Sequence, residues 1–117
     1  MSHKDVPHAK ILRKALKTLI SGQIKEKRKF LEKLKNEYTS PWDRGYILGI
    51  EFIINKPDKK FDNQIDLNEI PDEKTWKELK EFFEAMSKNR LLGGFDRGFF
   101  SSLEDYLLLR RKGWKYI

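Results

Sequence analysis

Two seven-residue Arg–Glu spacings are the most chemically suggestive feature of the sequence: Arg44 with Glu51, and Arg97 with Glu104. Each starts inside an Asp-Arg-Gly-aromatic run, Asp43-Arg44-Gly45-Tyr46 and Asp96-Arg97-Gly98-Phe99. Seven residues is nearly two helical turns, about 10 Å of rise, so Arg and Glu share a stripe without touching inside one helix. Each must pair elsewhere, face water, or face a ligand. An interhelical salt bridge repeated in both places is the plainer expectation, and a paired polar site holding a ligand is the sharper one.

Cations form the second constellation. Lys10, Arg13, Lys14 and Lys17 recur at helical spacing on the face opposite an apolar stripe of Ile11, Leu12, Ala15, Leu16, Leu19 and Ile20. Lys25, Arg28 and Lys29 follow, and the chain ends on Arg110, Arg111 and Lys112 with Trp114 among them. Ammonium and guanidinium groups in a row match the charge of a phosphodiester backbone, and an interleaved indole offers a stacking surface. The net charge of +7 is unevenly spread. Residues 1–40 hold 11 Lys/Arg against 4 Asp/Glu, residues 41–109 hold 10 against 14, and residues 110–117 hold 4 against none.

Other chemistries lack their signatures. Without cysteine there is no disulfide, thiolate metal site or thiol nucleophile. His3 and His8 have no further ligands at metal-binding spacing. Asp58, Asp62 and Asp66 lack the central Gly and closing Glu of a calcium loop, so a solvated acidic connector is expected there. No nucleophile elbow or glycine-rich phosphate loop occurs. Neither a cofactor nor a metal is expected, and the composition points to a binding module before an enzyme. No apolar run is long enough for a membrane span and no apolar leader opens the chain, so the expected place is the cytoplasm.

The elements that must position these groups read as helices throughout. Asp5 is a candidate cap for a first helix, with Pro7 in its opening turn. Ser21-Gly22 marks a kink or break, leaving residues 6–38 as two helices or one bent one, with two the better fit. Ser40-Pro41-Trp42-Asp43 is a strong helix start: a side-chain cap, a proline at the first helical position, and a carboxylate placed to reach back to the cap N–H. That helix runs to about Asn55, and a polar connector follows over 57–70. Pro71-Asp72-Glu73 opens another to about Asn89, with Trp76, Leu79, Phe82, Phe83 and Met86 expected inside. The last runs from about Phe95 to Lys112, where Gly113 suits its end.

Residues 42–51 align with 95–104 at an offset of 53, and Ile24-Lys25-Glu26 and Phe30-Leu31-Glu32 align with Trp76-Lys77-Glu78 and Phe82-Phe83-Glu84 at 52. The expected fold is all-α, about five helices in a single domain, with helix-loop-helix units over about 24–55 and 76–112 plus an N-terminal basic helix. Gly45 with Gly49, and Gly98 with Ser102, put small residues one turn apart in both units. Glycine inside a helix costs about 1 kcal/mol against alanine, so its repetition predicts a close crossing of the two helices. Alanine would instead stabilise these sites if they were exposed. In its Lys/Glu-rich, cysteine-free composition and repeated Asp-Arg-Gly-aromatic pattern, the chain resembles small helical proteins of hyperthermophilic archaea, a likeness that implies no activity. The functional expectation is nucleic-acid binding, RNA or DNA, through the basic helical face. A protein-interaction module, such as a homodimer, is the alternative, and a small-molecule enzyme the third.

Overall fold

The computed structural model describes residues 8–22, 25–55 and 72–111. The readings at His3, Asp5, Pro7, Asp58, Asp62, Asp66, Lys112, Gly113 and Trp114 lie outside them. The protein is all-α, with five helices among the described residues: α1 (Ala9–Ile20), α2 (Lys27–Glu37), α3 (Pro41–Asn55), α4 (Glu73–Lys88) and α5 (Gly94–Arg111). Two helices, not one bent helix, therefore occupy the first third. Gly22 ends α1 by taking φ +79°, a left-handed conformation open to a residue without Cβ, while the Ser21 N–H donates back to Lys17 O at 3.0 Å.

Local chemistry sets two other boundaries. Ser40 Oγ accepts from Asp43 N at 3.2 Å to open α3, and Asp72 Oδ1 accepts from Thr75 N at 2.7 Å to open α4. Asp43 departs from the expected capping box. Its carboxylate does not reach back to the cap but is buried, 1% exposed.

The centre of the molecule is the crossing of α3 with α5, the most extensive helix pair. It is reciprocal. A Cβ on Gly45 would fall on the Phe95 carbonyl oxygen and 3.0 Å from Phe99 N. A Cβ on Gly98 would fall on the Trp42 carbonyl oxygen and 3.0 Å from Tyr46 N. Adding 53 to 42, 45 and 46 gives 95, 98 and 99, so the two contacts interchange under the sequence offset. At the next turn, Gly49 faces the Ser102 side chain. The glycines are thus places where backbone meets backbone, and an alanine there cannot stabilise an exposed position.

Around this crossing, α1 lies against both α3 and α5, α2 rests on α3, and α4 packs on α5. Leu12, Leu16 and Leu19 of α1 are fully buried with Tyr46, Ile47 and Ile50 of α3 and Leu107 of α5. Each such aliphatic side chain stabilises the fold by about 1.5–3 kcal/mol. Two expected core residues are not interior: Ile11 is 47% and Phe82 51% exposed. Periodicity assigns a residue to a stripe, whereas its burial depends on how far the neighbouring helix extends over the stripe's edge.

Candidate nucleic-acid interface and buried polar groups

No acidic residue occurs in α1, and its four cations all face outward. Lys10, Lys14 and Lys17 meet no carboxylate among the described residues. Arg13 differs from the sequence reading: half of it is covered, and its Nε lies 3.9 Å from Asp105 Oδ1. Lys25, Arg28 and Lys29 are exposed around the start of α2. Among the described residues Lys29 pairs with Glu26 at 3.1 Å, an exposed contact of little energetic weight. At the other end, Arg110 is half-buried with its guanidinium 5.9 Å from the Tyr106 ring centre, and Arg111 is the last residue of α5.

The Arg–Glu spacing does not produce Arg–Glu bridges. Glu51 instead takes Lys35 Nζ of α2 at 2.8 Å, a hydrogen bond that holds the Lys35 ammonium above its usual lysine pKa. Glu104 accepts from Ser87 Oγ of α4 at 3.4 Å. Positions 35 and 87 correspond at the offset of 52, so each glutamate meets the matching residue of the preceding helix. What repeats is Glu to the preceding helix, with lysine in one place and serine in the other. Arg44 stays exposed. Arg97 Nε is buried with no hydrogen-bond partner, so the four residues are not drawn into one site.

Glu104 is 7% exposed and Asp105 beside it 4%. Burial raises the Glu104 carboxyl pKa, and the charges of Asp105 and Glu84 raise it further. Asp105 accepts the Tyr46 hydroxyl at 2.6 Å. Burial first, then this carboxylate, pushes the Tyr46 hydroxyl pKa well up. Trp42 stacks on Tyr46 with ring centres 5.2 Å apart. Under the 53-residue offset this contact too has a mate, for Tyr46 and Asp105 correspond to Phe99 and Phe52, whose rings are 6.1 Å apart. One side of the crossing is closed by a hydrogen bond and the other by aromatic packing.

Sequence reasoning missed the role of His8. Its Nδ1 lies 2.7 Å from Asp43 Oδ2, and its ring stands edge-on to Tyr38 at 4.7 Å. The pair straps the start of α1 to the start of α3 across 35 residues of sequence, a separation that no local motif encodes. Asp43 Oδ1 is buried without a partner. Among the described residues no three His, Asp or Glu side chains converge as a metal site, and no helix is long and apolar enough to cross a membrane. The chain matches no protein-family model, no curated protein and no solved structure.

Proposed function

We propose that the protein binds nucleic acid through phosphate contacts made by the outer face of α1, without reading base sequence. The observation that carries this is the division of labour within α1. Leu12, Ala15, Leu16 and Leu19 are committed to the core, while Lys10, Lys14 and Lys17 stand in water with no acid in the helix to neutralise them. Unneutralised cations in a row repel one another, and a polyanion relieves that repulsion while releasing its condensed counterions. Lys25, Arg28 and Lys29 extend the positive charge along the chain. Three of the four cations on this face are lysines, which meet phosphate as point charges, and the fourth, Arg13, is turned toward Asp105, so contacts to phosphate dominate.

Fluorescence anisotropy of a labelled duplex and a labelled single strand, titrated over a range of salt, tests this. The logarithm of the affinity should fall linearly with the logarithm of salt, by about 0.7–0.9 per neutralised phosphate. Reversing Lys10, Lys14 and Lys17 to Glu should weaken all sequences equally and lower the slope. Arg13 is left intact because it also touches the buried Asp105. Failure of both probes to bind at micromolar protein in low salt would reduce the basic face to a solvated surface.

A further inference from the structure

The basic face of α1 ends at an aromatic pair. Tyr38, which closes α2, comes back to the start of α1, where its ring meets that of His8 edge-on at 4.7 Å. Residues 8–38 hold 10 Lys/Arg against 3 Asp/Glu, so this pair stands in the same positive field as the α1 row. In an edge-on contact the ring that gives its rim keeps both faces clear of the other. His8 is also fixed from beneath. Its Nδ1 is tied at 2.7 Å to Asp43, whose side chain is 1% exposed, while 39% of the histidine side chain stays open to water. Ile11, one turn along α1, is 47% exposed. Between the two in sequence stands Lys10, exposed and without a carboxylate among the described residues. A free cation, an immobilised ring and an open aliphatic side chain thus lie together at the start of one helix.

That combination separates two forms of nucleic acid. A duplex offers phosphates, but its base faces are stacked on one another, and freeing one costs unstacking energy. A single strand offers the same phosphates with base faces already free to lie on a side chain. We propose that the ligand of the basic face is single-stranded nucleic acid, with one base on the His8 ring beside Ile11 and its phosphates along Lys10, Lys14 and Lys17. This rests on the phosphate-binding reading and adds the class of ligand to it. Stacking accepts any base, since each has a π face, so it selects strandedness without selecting sequence. Asp43 is a positioning residue here. A freely rotating histidine loses rotamer freedom when a base settles on it, whereas one tied to a buried carboxylate has already lost it on folding, so the base meets a prepared surface.

The test compares fluorescein-labelled oligomers of one length on the full chain by anisotropy: oligothymidine, the same strand with every base removed, and a duplex. The thymidine strand should bind about fivefold tighter than the abasic one, or more. Because stacking releases no counterions, that ratio should hold at every salt concentration. The duplex, extrapolated to salt high enough to cancel the phosphate contribution, should bind no better than the abasic strand. Oligouridine run alongside tells RNA from DNA as the source, the tighter being the natural one, and both should exceed the abasic strand. His8→Asn keeps an amide donor for Asp43 but removes the ring. It should bring the thymidine strand down to the abasic level and leave the abasic strand's own affinity unchanged. Should that variant unfold, the ring itself reports, in a His3→Gln variant whose single histidine is His8. Its imidazole proton resonances should move upfield far more with the thymidine strand than with the abasic one. Equal affinity for those two strands, an excess that His8→Asn retains, or equal resonance shifts overturns the stacking proposal and leaves phosphate binding standing. Binding of none of the oligomers removes both.

Discussion

Glu104 and Asp105 place two carboxyls side by side in the core, and their surroundings give them different roles. Asp105 takes the Tyr46 hydroxyl at 2.6 Å and has Arg13 nearby, so its charge is met. Glu104 has a long contact from Ser87, and burial raises its pKa above the ordinary value of 4.5. A raised carboxyl binds its proton more tightly in the folded chain than in the unfolded one. Its stabilising contribution is therefore complete below the ordinary value and is lost as pH rises through the folded value. Glu104→Gln, neutral at every pH, should be more stable than the parent at neutral pH, with the gain shrinking on acidification past the carboxylate range. Urea titrations at several pH values check this, and a gain independent of pH would contradict the raised pKa. Tyr46→Phe acts in the opposite sense. It removes one donor from a buried carboxylate, so it should destabilise by about 1–3 kcal/mol, measured by the same titration.

Among the helices, the α3–α5 crossing carries the sharpest expectation. Gly45→Ala and Gly98→Ala each gain about 1 kcal/mol of helix propensity but push a methyl onto a backbone carbonyl of the other helix, of Phe95 and Trp42 respectively. Backbone cannot swing aside as the end of a side chain can, so overpacking wins, and each variant should lose about 1–3 kcal/mol net. Because the contacts are reciprocal, the two losses should be similar; a stabilised alanine at either site would mean the helices are farther apart. This crossing was readable from sequence because the small residues repeat at one offset. The caps at Ser40 and Asp72 were readable because donor and acceptor lie three residues apart. Tyr46 with Asp105 and His8 with Asp43 were not, since their partners stand 59 and 35 residues away. Phe82 was misplaced for a different reason. It sits beside Phe83 on the edge of the stripe, and only the packing of α4 on α5 decides that Phe83 turns inward, 7% exposed, while Phe82 stays out.

Taken as a whole, the molecule is unevenly anchored. Apolar burial joins α3 and α5 along their length, and α1 adds three fully buried leucines. By contrast α2 is held by Leu31 and Leu34, has no side-chain cap at Glu26, and carries five Lys/Arg against two Glu in eleven residues. Its ties to the rest include the partly exposed Lys35–Glu51 pair, and such pairs weaken as salt screens them. Segments with few buried apolar side chains open locally at less than the global free energy. Native-state hydrogen exchange should therefore find the slowest amides in the central turns of α3 and α5, exchanging only through global unfolding. Those of α2 should exchange several-fold to many-fold faster through a smaller opening. If α2 also contributes Arg28 and Lys29 to phosphate binding, a short duplex should slow α2 exchange more than that of α4, whose charges are balanced. Equal protection of all five helices without ligand would show that α2 is bound into the same cooperative unit as the crossing. Selective slowing of α2 and α1 by the duplex would place the polyanion on the lightly anchored side of the molecule, where ordering the chain and neutralising its charge stabilise the same helices.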